Sequence, residues 1–163
     1  MTNAEKQVLV VVPCGSSKVW DRDPGHGPSL AKDAYAGAPF RVNRAYAERF
    51  GNAWVILSAK YGFILQDFTI PGPYEVTFKR PETEPVALDV LRQQIQALGL
   101  DRFSRIIGLG GKEYRAVLTR AFTGSAAELM FPFARMPIGR AMQATNRAIA
   151  SGAPIPDGSA VHG

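Results

Sequence analysis

The sequence predicts an α/β fold: one three-layer domain with a mostly parallel four-stranded sheet and helices on both faces. Three observations predict it. Strand-like apolar runs alternate with helical periodicities in the order β-α-β-α-β-α-β-α. The two strongest runs, Val8–Val12 and Ala53–Leu57, lack polar alternation, as strands buried on both faces do. Each strand-like run ends in a polar or glycine-rich segment: Cys14–Lys18, Ser58–Gly62, Gly108–Lys112 and Pro132–Arg135. In open α/β sheets the carboxyl ends of the strands are where ligands bind.

The elements follow in order. The first strand spans Gln7–Val12 and stops at Pro13. Residues 20–38 are rich in Gly, Pro and Asp and read as a long loop, with one short helical turn near Asp33. Pro39 opens a helix carrying Phe40, Val42, Ala45, Tyr46 and Phe50, ended by Gly51. The second strand is Ala53–Leu57; residues 63–84 are irregular, broken by Pro71, Pro73 and Pro81. Pro85 opens a helix with Val86, Val90, Leu91, Ile95 and Leu98 on one face and Gly99 after its end. Ser104–Leu109 is a third strand, and Gly110-Gly111 turns the chain into a helix carrying Tyr114, Val117, Leu118 and Phe122. Glu128–Phe131 is a weaker fourth strand. Gly139–Ala150 is the last helix, with Met142, Thr145 and Ile149 inward. The domain therefore covers residues 1–151, and residues 152–163 read as a flexible tail of Gly, Pro, Ser and Ala.

Composition narrows the function. The 163 residues suffice for one core and are too few for a two-domain dinucleotide enzyme. No run approaches the ~20 apolar residues of a membrane span, and Met1–Lys6 lacks a secretory stretch. The expected location is the cytoplasm. Cys14 is the only cysteine and His26 and His162 the only histidines, which excludes an intrachain disulfide and a cysteine-rich zinc site. The 19 Lys+Arg against 14 Asp+Glu give a net charge of +5, which favours an anionic partner.

Four constellations carry chemistry. Cys14-Gly15-Ser16-Ser17-Lys18 offers backbone N–H groups, two hydroxyls and an ammonium to a phosphate, without the spacing of a P-loop. Cys14 itself reads as a small packed thiol, or less readily as a nucleophile, since only His26 is available to activate it. In Ser58-Ala59-Lys60-Tyr61-Gly62, Lys60 suits a phosphate and Tyr61 a base face. Asp33, Asp67 and Glu75 are the long-loop carboxylates, either solvated or able to place a water near a sugar. Gly108-Leu109-Gly110-Gly111-Lys112 lacks the dinucleotide fingerprint but presents a helix N-terminus to an anion. Arg135, Arg140 and Arg147 suit a nucleic-acid backbone or a solvated face equally.

These motifs, with Ala31-Lys32-Asp33-Ala34-Tyr35, Phe40, Pro73-Tyr74 and Leu109–Tyr114, resemble a family of small bacterial and phage proteins over residues 8–147. The stretch from Ser58 through Asp67 to Tyr74 is similar to one in the peroxide-stress family, whose members bind DNA. Pro13–Lys18 is similar to the Pro-Cys-Ser…Lys motif of archaeosine synthases, whose domain looks like the uracil-DNA-glycosylase fold. The aromatic and histidine that complete the archaeosine motif have no match after Lys18, and the uracil-glycosylase motifs are absent.

The resemblance implies a uracil-DNA-glycosylase-like fold and a nucleic-acid ligand. The expected activity is hydrolysis of an N-glycosidic bond of a modified base in DNA, as in phage defence. Such an enzyme flips its target nucleotide into a pocket. Tyr35, Phe40, Tyr61 and Tyr74 are then candidates to stack on the base. Ser16, Ser58 and Lys60 are candidates for base-edge or phosphate contacts, and Lys18 and Lys112 for backbone phosphates. Cys14, Gly15, Ser17, Gly110 and Gly111 complete the binding loops. One of Asp33, Asp67 and Glu75 acts at C1′, Asp33 first. Alternatively Lys18 or Lys60 forms a Schiff base there. Neither route needs a metal or a cofactor. Two other readings stay open: a DNA- or nucleotide-binding module without chemistry, and a hydrolase or transferase of free nucleosides or nucleotides.

Overall fold

A computed structural model describes residues 7–159. Met1–Lys6, read for a leader, and His162 lie outside the described residues. The strands are β1 (Val8–Pro13), β2 (Ser29–Leu30), β3 (Ala53–Ser58), β4 (Gly62–Ile64), β5 (Thr69–Ile70), β6 (Arg105–Gly108) and β7 (Glu128–Met130). The helices are α1 (Ala31–Ala34), α2 (Ala38–Phe50), α3 (Leu88–Ala97), α4 (Lys112–Ala121) and α5 (Ile138–Ser151).

The main sheet has five strands in the order β4-β3-β1-β6-β7, not the four expected. Four run parallel; β4 folds back antiparallel on β3, pairing Ile64 with Ile56 and Gly62 with Ser58. The chain moves from β1 to β3 in one direction and from β3 through β6 to β7 in the other. With one hand of crossover, that reversal puts helices on opposite faces. Thus Val10, Val12 and Ile56 pack with Phe40 and Tyr46 of α2 and Ala141 and Ala148 of α5. Their neighbours Leu9, Val11, Val55 and Leu57 pack with Leu91 and Ile95 of α3 and Leu118 and Ala121 of α4. Central strands that read as unbroken apolar runs are the consequence.

The two long loops do not run separately. β2 pairs antiparallel with β5, Ala31 N–H donates to the Phe68 carbonyl at 2.7 Å, and Lys32 N–H donates to Gln66 at 3.0 Å. A further bridge joins Lys18 to Tyr35. These links tie the loop after β1 to the segment after β4 beside the sheet.

Several boundaries differ from expectation. The helix expected from Pro85 starts at Leu88, because Val86 N–H is used by the Ala59 carbonyl at 2.7 Å. In α5 it is Ala141, Thr145 and Ala148 that are buried, while Met142 and Ile149 are half-buried. Residues 155–158 are anchored on the domain rather than extending as a free tail, while residues 152–154 and 159 stay exposed. Ile155 is buried and its N–H donates to the Tyr46 hydroxyl at 3.1 Å; Asp157 accepts from Phe131 N–H at 2.9 Å. Among the described residues no helix is long and apolar enough to cross a membrane.

Candidate functional site

The direction of travel reverses between β1 and β6. In open α/β sheets the carboxyl edge at such a reversal is where ligands bind. Cys14 N–H still pairs with the Leu57 carbonyl at 3.1 Å, and Gly15, at φ +75°, then turns the chain away from the sheet. On the other side, Leu109 N–H pairs with Val11 at 3.0 Å, and Gly110 turns at φ +122°. A Cβ on Gly110 would lie 3.0 Å from Pro13 Cγ, so a glycine lets the two loops meet. Gly111 then caps α4. Tyr114, one turn in, brings its hydroxyl 3.4 Å from Cys14 Sγ.

Beside this contact is a buried hydroxyl network. Ser58 is fully buried, and its Oγ accepts N–H bonds from Lys60 at 3.2 Å and Tyr61 at 3.1 Å. Those bonds fill its two lone pairs, so its proton points to the Tyr74 oxygen, 2.9 Å away. Tyr74 in turn donates to the Tyr35 oxygen at 2.6 Å. Burial, reinforced by the nearby Cys14 thiol, pushes the phenols of Tyr35, Tyr74 and Tyr114 well above the ordinary tyrosine range. At neutral pH they are protonated donors and not bases.

Two ammonium groups converge on the same ring. Lys18 Nζ lies 4.4 Å from the Tyr74 ring centroid and Lys60 Nζ 5.5 Å from it. Lys60 is exposed and also sits 5.3 Å from the Tyr61 ring. Lys18 is only 8% exposed and donates one long bond, 3.3 Å, to the Ser16 carbonyl. The ion pairs among the described residues, Arg44–Glu48 and Arg105–Glu128, involve neither lysine.

The remaining candidates divide. Gly15, Ser16, Ser17, Gly111 and Lys112 are exposed at the rim, with Gly110 half-buried beside them. Tyr61 is half-buried, its ring edge-on to Tyr74 at 5.4 Å. Tyr35 and Phe40 are not stacking platforms: both are 3% exposed, and their rings pack on each other at 5.3 Å. Tyr74 is buried under Lys18 and Tyr61 and offers no open face either. Cys14 is a packed thiol; exposed His26 bonds to the Gly27 carbonyl instead.

The carboxylates are all outside the network. Asp33 faces away from the buried side of α1, formed by Ala31 and Ala34, and Glu75 is exposed beside buried Tyr74. Asp67, also exposed, lines a cleft of about 350 Å³ with Tyr61, Ile64, Leu65 and Phe68. Arg135, Arg140 and Arg147 are exposed and form no ion pair among the described residues. Among the described residues no three His, Cys, Asp or Glu side chains are grouped to hold a metal ion.

Sequence reasoning took Tyr114 for a core residue and passed over Phe68. The signal for Tyr114 was its place in the first turn of a helix leaving a strand's carboxyl end. Phe68 left no local signal, because only the tertiary link to Tyr61, ring to ring at 5.2 Å, brings it to the site.

Similarity to other proteins follows the same boundaries. The chain is 39% identical over 142 residues to the uncharacterized protein YfjM of Bacillus subtilis strain 168, covering 86% of this chain and 94% of that protein. The crystal structure of AF0587, a protein of unknown function, aligns with 89% of this chain at 15% identity and a TM-score of 0.42. The chain spans 45% of that protein. A family model described as a family of unknown function, DUF6884, matches residues 9–147, which takes in β1 through most of α5 and every residue of the site, and the chain belongs to that family.

Proposed function

We propose that this protein acts on nucleic acid and hydrolyses the N-glycosidic bond of a modified base in DNA. The observation that carries the reading is the convergence of Lys18 and Lys60 on Tyr74, with no carboxylate paired to either among the described residues. Two cations left without counter-charge at the carboxyl edge of a parallel sheet form a place that an anionic ligand completes. The net charge of +5 agrees with a polyanion. The finer likeness, to a uracil-DNA-glycosylase-like domain, rests on the Pro13–Lys18 motif, and the likeness to a DNA-binding family on the stretch from Ser58 to Tyr74.

In this reading Lys60, Lys18 and the exposed Gly15–Ser17 and Gly111–Lys112 backbones hold phosphate. The protonated Ser58–Tyr74–Tyr35 network fixes the floor beneath them. Asp67 is the carboxylate best placed to stabilise the positive charge that develops at C1′ or to orient a water there. Lys60 is the better placed of the two lysines for a Schiff base, because Lys18 is held in the floor.

The test is incubation of the purified protein with genomic DNAs carrying different natural modifications, heavily modified phage DNA included. Released base is read by mass spectrometry and abasic sites by labelling. Release from one modified DNA and not from unmodified DNA supports the reading and names the base; a phage-derived modification would place the protein in phage defence. Asp67→Asn should then abolish release and Asp33→Asn should not. DNA binding with no release from any DNA or RNA supports a binding module instead. Release only from free nucleosides supports the small-molecule hydrolase.

A further inference from the structure

The cleft on the outer side of β4 adjoins the lysine pair through a single side chain. Tyr61 touches both: its ring lies 5.3 Å from Lys60 Nζ and edge-on to Tyr74, and on its other side it meets Phe68 at 5.2 Å. Tyr61 and Phe68 are also walls of the cleft, a shallow, solvent-open depression of about 350 Å³. Phe68 and Leu65 remain 37% and 45% exposed, among the few large apolar side chains so open to water in this chain. An aromatic, partly apolar slot thus begins where an uncompensated cation ends. Lys60 Nζ stands 5.3 Å from the ring of Tyr61, which is itself part of the slot's wall.

We infer that this cleft is a mononucleotide slot, in which Lys60 holds the phosphate, Tyr61 and Phe68 take the face of the base, and Asp67 lies on the sugar side. The inference rests on the nucleic-acid reading above and gives it a definite base-binding subsite. It also separates two jobs that the sequence assigns to one group of tyrosines. Tyr35 and Tyr74 build the floor, and Tyr61 with Phe68 receives the ligand. Every base has a π-face, so aromatic walls hold bases with little sequence preference. Discrimination would come from the polar atoms at the cleft's rim, Asp67 among them.

The experiment uses the full chain and 2-aminopurine deoxyribonucleoside 5′-monophosphate, whose fluorescence falls when the base stacks. Wild-type protein should quench it saturably and should bind it more tightly than the deoxynucleoside or inorganic phosphate, by at least about tenfold. Lys60→Met should remove the advantage of nucleotide over nucleoside. Phe68→Ala should weaken both by at least about fivefold, the lower end of base-stacking effects, and leave inorganic phosphate binding unchanged. Phe68→Tyr keeps a ring at the wall and should restore quenching, which separates loss of the platform from loss of the fold. Equal affinity for nucleotide and inorganic phosphate without quenching overturns the slot. So does quenching that Phe68→Ala leaves intact. Base released from modified DNA at the wild-type rate by Phe68→Ala overturns the slot while the glycosidic reading stands. Nucleotide binding and quenching with no base released from any DNA keep the slot and overturn the glycosidic reading.

Discussion

Lys18 is the side chain whose presence is hardest to explain by stability alone. Its ammonium is buried against a ring face and one carbonyl, with no carboxylate paired to it among the described residues. A cation taken from water without a counter-charge destabilises the fold. Lys18→Met keeps the length of the chain and removes the charge. We expect it to raise stability by about 1 kcal/mol while ligand binding and base release are lost. Urea denaturation and the release assay check both halves; a loss of stability with activity retained would make Lys18 a structural residue. The tyrosines beneath it give a pH signature. Their folded pKa values are raised by burial, so the unfolded chain ionises first as pH rises. Stability from Tyr35, Tyr46 and Tyr74 is therefore fully present below the unfolded value of about 10 and is lost above it. Each contributes a slope of about 1.4 kcal/mol per pH unit there. Tyr74→Phe should flatten the alkaline limb of a stability–pH curve measured by chemical denaturation, and an unchanged limb would mean that the phenol is hydrated. The lysines and Ser58 of this site were legible because they lie at strand ends. The depth of Tyr35, Phe40 and Tyr74 was not, since a ring that walls a pocket and a ring that floors it have the same local sequence.

At the scale of elements, β4 shows how a short strand is held at an open edge. Its outward Phe63 N–H donates to Gln94 Oε1 at 2.8 Å, and Gln94 Nε2 donates to the Tyr61 carbonyl at 2.9 Å. One side-chain amide thus pairs with the strand as a neighbouring peptide would and blunts the edge against other chains. Gly62 makes room for it: φ is +75°, and an added Cβ would collide with the Gln94 amide. Gly62→Ala should therefore destabilise the protein by about 1–3 kcal/mol, from left-handed backbone strain and the displaced amide. Gln94→Ala should lower stability by about 1–2 kcal/mol and increase self-association at the edge. Thermal melts and light scattering read the two effects; unchanged melting of both variants would show that the amide does not hold the edge. The same geometry explains why β4 was missed. It has three residues and begins at a glycine, so neither period nor length marks it. β2 and β5 have two residues each and exist only through each other. By contrast β1 and β3 announce themselves, because central parallel strands must be apolar on both faces. The helices were legible through their apolar stripes. The start of α3 was not, because Val86 looks like part of the stripe until its N–H is claimed by Ala59.

For the whole molecule, the deciding question is which end of the sheet meets a polyanion. The charge of +5 favours an anionic partner but names no face of the molecule. The fold sorts them. Strands β1, β3 and β6 all point their carboxyl ends at Lys18, Lys60 and Lys112. A helix that connects parallel strands runs antiparallel to them, so the last turn of α2, with Arg49, lies at the opposite, amino edge. Binding of a duplex releases about 0.9 counterion per phosphate neutralised, which sets the slope of log K against log salt. If the carboxyl edge is the nucleic-acid face, Lys60→Met and Lys112→Met should each weaken DNA binding and reduce that slope by about 1. Arg49→Ala, equally exposed and equally charged, should change neither the affinity nor the slope. Binding isotherms between low and physiological salt give both quantities for each variant. A slope that falls equally for all three variants would mean that DNA meets the charge of the surface as a whole, without a face. A slope that falls only for Arg49→Ala would place the contact at the amino edge and remove the carboxyl-edge site from any role in holding the polymer.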